Sequence, residues 1–320
     1  MSFSGKVKEE LSRNIAHARH CRIAEIAAII SMCGNISISS YNQYRIKIYT
    51  ENLAVARKSF TLIKKTFNIG TENSVRRNLA KHSASYSIII TEHEDAKRIL
   101  QACKLLDEEG QISEELSVVR NLVVQETCCK RAFIRGAFLS SGSMSDPKKA
   151  YHFEIVCATY KKAEQLRDMI NCFEMDAKIV LRKKSYVVYL KEGAQIVDIL
   201  NVMEAHISLM ELENVRILKE MRNTVNRKVN CETANIHKTV SAAVKQVEDI
   251  TYIRDHIGFE KLSDGLKDAA DIRLAHPDAT LQELGDLLMP TVGKSGVNHR
   301  LRKLSKIAET LRENKEVRYD

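Results

Sequence analysis

Two apolar helical segments, each closed by a glycine, recur along the chain: IAEIAAIISMC before Gly34 and CKRAFIRGAFLSS before Gly142, with the glycines 108 residues apart. A helix that is apolar on most sides belongs in a core or an interface. The same order of periodicities follows each glycine. After Gly34, alternation in Ile36-Ser37-Ile38 and in Tyr44–Tyr49 predicts two strands turning at Tyr41-Asn42-Gln43. Residues 51–67 read as a helix, 71–78 and 85–91 as a hairpin, and 92–106 as a helix. After Gly142, 152–158 reads as a strand, 160–173 as a helix, 178–182 and 186–190 as a hairpin around Lys183-Lys184-Ser185, and 192–203 as a helix. Each unit is therefore helix, two strands, helix, two strands, helix. That is too long for a solenoid repeat and predicts a duplicated domain with pseudo-two-fold symmetry. The two glycine-terminated helices are its natural packing seam. Gly34-Asn35 reads as a left-handed helix stop.

The flanks obey other rules. Residues 4–20 predict an amphipathic helix through Val7, Leu11 and Ile15. Beyond Met203 the alternation ends. A long polar helix is expected over 209–229, a link over Asn230–Asn235, and another helix over 236–257. Between Val215 and Lys245 seven basic residues, Arg222, Arg227 and Lys228 among them, face two acidic ones. The last sixty residues are all helical. A helix over 261–274 is stopped at His276-Pro277-Asp278. Thr280, with Glu283 three residues on, forms a capping box that opens LQELGDLL. Pro290–Gly293 is a turn, and Ser295 opens the final helix. Leu281, Leu284, Leu287 and Leu288 on one helix, and Val297, Leu301, Leu304 and Ile307 on the other, form the inward stripes of a helix-turn-helix. The opposite face carries Asn298, His299, Arg300, Arg302, Lys303 and Lys306. A recognition helix needs donors near its N-terminal end for base edges and flanking cations for phosphates. Thr280, Lys294, Ser295, Asn298, His299, Arg300, Arg302, Lys303 and Lys306 are therefore the expected DNA-binding set. Arg222, Arg227 and Lys228 could add DNA contacts on grounds of charge.

Composition narrows the function classes. The 320 residues carry a net charge of +9, which suits a polyanionic partner. Apolar residues at 44% allow sizeable cores and exclude global disorder. No apolar run approaches the roughly 20 residues of a membrane span, and MSFSGKVKEELSRN lacks a signal-peptide core. The expected compartment is the cytoplasm, with the nucleoid as the place of action. The eight cysteines include no CxxC pair, so their spacings predict neither a disulfide framework nor zinc. They read as small buried hydrophobes. No P-loop, HExxH pair or GxSxG elbow is present, so no catalytic residue, metal, cofactor or small-molecule substrate is expected.

IAAIISMCG and IRGAFLSSG resemble the paired LAGLIDADG helices of homing endonucleases. Together with TLQELGDLLMPTVGKSGVNHRLRKL, NRKVNCETAN and the N-terminal SFSGKVKEELSR, they make the chain similar to the WhiA family of bacterial regulators. The resemblance implies an α+β fold: a duplicated αββαββα LAGLIDADG-type domain followed by an all-α helix-turn-helix domain. The residue pattern sets its expected boundaries at 1–205 (repeats about 22–106 and 130–203), a connector over 206–257 and the helix-turn-helix over 258–320. The resemblance implies double-stranded DNA as partner, alongside transcription or cell-division proteins, and a concave DNA-facing sheet surface to which Lys47, Arg76, Arg77, Arg182, Lys183 and Lys184 could supply charge. It also implies roles in cell division and chromosome segregation, and in sporulation in some relatives. Active LAGLIDADG enzymes hold metal through an acidic residue just before the motif glycine. Cys33 and Ser141 stand at those positions here, so the resemblance implies a degenerate, non-enzymatic domain.

Overall fold

The structure, a computed structural model, describes residues 2–39, 43–78, 83–106, 112 and 121–316; the turn expected at Tyr41-Asn42 lies outside them. The chain divides into two compact units, Met1–Glu220 and Met221–Asp320.

The first unit contains the duplication. After α1 (Phe3–Arg13), the first repeat runs α2 (Arg19–Cys33), β1 (Gly34–Ile38), β2 (Tyr44–Thr50), α3 (Leu53–Phe67), β3 (Glu72–Asn78), β4 (Ser83–Ile90) and α4 (His93–Ala102). The second runs α5 (Thr127–Ser141), β5 (Gly142–Met144), β6 (Phe153–Cys157), α6 (Tyr160–Asn171), β7 (Lys178–Arg182), β8 (Ser185–Leu190) and α7 (Gly193–Met203). Each repeat forms a four-stranded antiparallel sheet, in the orders β1-β2-β4-β3 and β5-β6-β8-β7. The identical order is the structural signature of the duplication. Strand β5, three residues long, is too short to leave an alternating pattern in the sequence. Period two sorts the side chains: Ile46 and Ile48 are buried, while Arg45, Lys47 and Tyr49 point outward.

The seam is α2 against α5. Ala24, Ile26, Ala27, Ala28, Ile29 and Ile30 are buried, as are Ala132, Phe133, Ile134, Ala137, Phe138 and Leu139. Gly136 allows the close approach, since a Cβ there would lie 2.9 Å from Ala28 Cβ and 2.6 Å from the Glu25 carbonyl oxygen. The glycines after the helices correct the expectation of a left-handed stop. Gly34 and Gly142 are extended, at φ −86° and −84°. They are needed for space: a Cβ would come within 2.8 Å of Ile30 Cα at Gly34 and 2.7 Å of Phe138 Cα at Gly142.

Three charges are buried inside this unit, with a fourth, Glu204, half-exposed at its edge. Glu25 on α2 accepts from Lys58 Nζ at 2.6 Å and from Arg135 Nε at 3.2 Å, and Arg135 also reaches Glu204 at 2.6 Å. Burial pushes the Lys58 ammonium down despite Glu25, whereas at Arg135 the attraction of Glu25 and Glu204 outweighs burial and the guanidinium is pushed up. Lys58 Nζ donates as well to the Leu11 and Asn14 carbonyl oxygens, at 2.7 and 2.5 Å. That capture of backbone acceptors ends α1 at Arg13, short of the residue-20 limit expected from periodicity, and leaves Ile15 outside the helix.

Residues 206–257 form one helix, α8 (His206–Ile257), with no break at Asn230–Asn235. This departs from the expected two helices and link. The stretch contains neither Gly nor Pro, and the modest helix penalties of Asn and Thr, up to roughly 0.7 kcal/mol each, do not stop it. Its first turns belong to the first unit: Leu212 joins that core, and the Glu10 carboxylate accepts from the Ile207 and Ser208 amides at 2.7 and 2.9 Å.

In the second unit Ile250 and Ile253 of α8 share a core with α9 (Asp264–Ala275), α10 (Leu281–Leu287) and α11 (Lys294–Glu316). Arg312 donates to the buried Asp249 at 2.7 Å, and Arg273 donates to Gln246 and to the Ala279 carbonyl oxygen. Among the described residues no helix is long and apolar enough to cross a membrane.

Candidate nucleic-acid interface

The capping box that sequence predicts at α10 is formed. Thr280 accepts from the Glu283 amide, and the Glu283 carboxylate accepts from the Thr280 amide at 2.7 Å. The two hydrogen bonds hold the Glu283 carboxyl below its usual range. The turn to α11 is tight, with the Val292 amide donating to the Gly285 carbonyl oxygen at 3.1 Å. A Cβ on Gly285 would strike Val292, which is why glycine interrupts this short helix. Leu284 and Leu288 are buried, but Leu287 is 47% exposed. Four-residue spacing aligns the first two, while Leu287 falls to the side, contrary to the expected inward set.

On α11 the buried stripe is Val297, Leu301, Leu304 and Ala308, with Ile307 half-buried at its margin. That fixes the outward face. Lys294, Ser295, His299, Arg302, Lys303 and Lys306 are exposed and brought together, with Asn298 half-buried at their edge. Thr280 is exposed at the start of α10. Arg300 is not with them: its guanidinium lies against the first turn of α9, where a Cβ on Gly265 would meet Arg300 Cζ at 3.4 Å.

The two sheets differ on their outward faces. In the first, register pairs Asn35 with Lys47 and Ser37 with Arg45, and Arg76 with Ser85 on the same face, while Arg77 pairs with Ala84 on the other. Arg45 was not among the expected contacts; its spacing of two from Lys47 was the signal. In the second sheet, Arg182 is held by Glu154 at 3.3 Å, and Glu154 also meets His152 at 3.1 Å. Partial burial pushes the Glu154 carboxyl up, but hydrogen bonds from His152 and Ser143 with Arg182 nearby hold it low overall. Lys183, at φ +57°, and Lys184 are exposed in the β7–β8 turn. Arg222, Arg227 and Lys228 are exposed on α8.

At the seam end where a LAGLIDADG enzyme would hold metal, the side chains turn inward. Cys33 Sγ donates to the Ile29 carbonyl oxygen at 3.3 Å, Ser140 Oγ to that of Gly136 at 2.8 Å, and Ser141 Oγ to that of Ala137 at 3.4 Å. Cations flank them. Lys162 Nζ donates to the Ser31 carbonyl oxygen at 2.7 Å, and Lys8, beside Cys33, lies 5.7 Å from the Phe138 ring centre. Burial pushes Lys8 down to about 8 and the Cys33 thiol up. A hard divalent cation needs oxygen ligands, and these groups supply none of carboxylate charge. The cysteines depart from the expected uniform burial: Cys128, Cys172 and Cys231 are exposed and Cys33 is half-buried.

The fold and this surface define a class: a duplicated LAGLIDADG-like unit carrying a helix-turn-helix. The comparisons specify it further. Family models match for the WhiA N-terminal LAGLIDADG-like domain over residues 19–106, the WhiA LAGLIDADG-like domain over 130–222 and the WhiA C-terminal HTH domain over 225–308. A "Probable cell division protein WhiA" of Lachnoclostridium phytofermentans is 55% identical over 98% of this chain and 100% of its own. One of Alkaliphilus oremlandii is 50% identical over 98% and 99%. The full-length crystal structure of DUF199/WhiA from Thermatoga maritima aligns with TM-score 0.59 at 23% identity, covering 97% of this chain and 99% of that one. The chain belongs to the WhiA family.

Proposed function

We propose that this protein is a non-enzymatic, sequence-specific regulator that binds double-stranded DNA through α10, its turn and α11, and that acts in bacterial cell division and chromosome segregation. The observation that carries the reading is the face of α11. Lys294, Ser295, His299, Arg302, Lys303 and Lys306 are exposed opposite a buried stripe, so helix packing presents donors and cations together. Its relatives' printed name supports the cell-division role. The inward-turned Cys33 and Ser141 support a LAGLIDADG-like unit that has kept a fold without a nuclease's ligands. Lys47 and Arg76 on the first sheet, with Lys183 and Lys184, supply further phosphate contacts, as do Arg222, Arg227 and Lys228 on α8. Transcription or cell-division proteins are further partners, and the nucleoid is the place of action.

A split phenotype tests the reading. Arg302→Ala or Asn298→Ala removes a base-edge donor worth about 1–3 kcal/mol of discrimination and flattens preference for the best site over random DNA. Lys303→Ala or Lys306→Ala weakens all DNA alike and reduces the salt slope by roughly one per lost phosphate contact. Titrations of the four variants at two salt concentrations decide it. Unchanged affinity in all four removes the helix-turn-helix from the mechanism. A small ratio of specific to non-specific affinity in the unaltered protein points instead to an architectural DNA-binding protein.

A further inference from the structure

At the other end of the seam, four metal-ligating side chains meet. His20 and Cys21 are the second and third residues of α2; Cys128 and Cys129 are the second and third residues of α5. Both pairs are 108 residues apart, the same spacing as Gly34 and Gly142. They are thus equivalent positions of the two repeats, brought face to face where the helices pack. His20 Nδ1 lies 3.1 Å from Cys129 Sγ, 3.5 Å from Cys21 Sγ and 4.0 Å from Cys128 Sγ. The four ligand atoms all lie within 4.8 Å of one another, and no other such group of three or more ligands occurs among the described residues.

We propose that His20, Cys21, Cys128 and Cys129 form a structural site for a soft-to-borderline tetrahedral divalent cation of the zinc class, clamping the first turns of α2 and α5. Three observations carry this beyond clustering. The first is geometry. A tetrahedral centre with Zn–S bonds of about 2.3 Å has ligand separations of about 3.8 Å, so the observed nitrogen–sulfur distances bracket what a bound ion requires. The second is ligand type: three thiols and an imidazole select a zinc-like ion over the hard cations that carboxylates would hold. The third is the electrostatics of the place. Three thiolates and a divalent cation leave one net negative charge, and the positive ends of two helices converge on it. Neither N-cap residue, Ala18 or Glu126, makes a side-chain capping bond there.

Burial, then the neighbouring thiols, push Cys21 up to about 12 and raise Cys129. Binding releases the three thiol protons to solvent as the metal–sulfur bonds form, with no change of oxidation state. A hollow lined by His20, Lys104, Glu126 and Cys129 gives the ion a route in from solvent. The site is independent of the DNA-binding reading.

The test is cobalt and zinc titration of the full-length protein, reduced, stripped with a chelator and kept anaerobic. One equivalent of Co²⁺ is expected to give the intense visible bands of tetrahedral cobalt and a sulfur-to-cobalt charge-transfer band, both bleached by Zn²⁺. Thermal unfolding is expected to move upward with bound metal. His20 and Cys128 are exposed, so their variants spare the core. His20→Ala and Cys128→Ser are each expected to weaken metal binding by more than the roughly 10–100-fold that an outer-shell change costs. His20→Cys restores a four-ligand set and retains the spectrum, while Cys172→Ser and Cys231→Ser leave affinity unchanged. Absence of the charge-transfer band overturns the proposal. So does a spectrum that persists in the Cys128→Ser, Cys129→Ser double variant, or a disulfide among these cysteines in protein kept reduced throughout.

Discussion

The two ends of the α2–α5 seam are built from equivalent positions of one duplicated sequence, and they have opposite chemistry. At the C-terminal end, Cys33, Ser140 and Ser141 bond back to carbonyl oxygens of their own helices, and Lys8 and Lys162 occupy the surroundings. At the N-terminal end, His20, Cys21, Cys128 and Cys129 turn their ligand atoms toward each other. Two-fold packing concentrates whatever residue the repeat carries at a given position. It concentrates ligands at one end and, with Cys33 and Ser141 in place of acids, does not at the other. The middle of the seam differs again, since Glu25 and Arg135 are not equivalent positions and their ion pair breaks the symmetry.

The sharpest way to break the comparison is to remove the charge between the two ends. Arg135→Ala leaves the buried Glu25 with Lys58 alone, while the half-exposed Glu204 keeps its hydrogen bond from Asn14, at an expected cost of about 3–5 kcal/mol in denaturant unfolding. A loss below 1 kcal/mol would show that Lys58 alone compensates Glu25 and that the seam does not depend on the pair.

Truncation comes next. A fragment ending at Glu220 keeps the Glu10-capped start of α8 and Leu212, and is expected to unfold cooperatively. One ending at Met203 forfeits Leu212, whose burial is worth about 1.5–3 kcal/mol, and is expected to melt lower. Equal melting of the two would separate α8 from the first unit.

A smaller effect compares the repeats directly. Gly34→Ala and Gly142→Ala each force a Cβ against the preceding turn, and each is expected to cost about 1–3 kcal/mol. Similar losses sharpen the equivalence of the two helix ends; a loss at one glycine alone breaks it. The smallest expected effect is none: plasmid incubated with Mg²⁺ or Mn²⁺ stays supercoiled. Nicking above a mock-purified control, lost on changing Cys33 or Ser141, would restore a catalytic role to the C-terminal end.

The features that local rules govern were legible in the sequence. Alternation located the strands of both repeats except β5, and the Thr280–Glu283 spacing located the start of α10. What depends on packing was not. Gly34 looked like a left-handed stop because its neighbours' bulk, rather than its own φ, demands glycine. Asn230–Asn235 read as a link because weak helix formers suggest a break, yet nothing there forbids a helix. The face of α11 was legible because one element carries it, except Arg300, whose position is decided by α9. The sulfur–nitrogen cluster left no spaced motif. Its ligands are adjacent in pairs and meet only when two helices 108 residues apart are packed together.

The cluster of buried Glu25, Lys58 and Arg135 with half-exposed Glu204 also limits how this fold can drift over generations. Its two positive and two negative groups balance. Exchanging Glu25, Lys58 or Arg135 alone for a neutral residue leaves a buried charge short of a partner, even though a wholly apolar replacement set can be as stable as the ions. Lineages can therefore reach such a set only through poorer intermediates or by several changes fixed at once. Glu25, Lys58 and Arg135 are expected to be inherited as a block, changing together or not at all, while the exposed cations of α11 and the sheets vary one at a time.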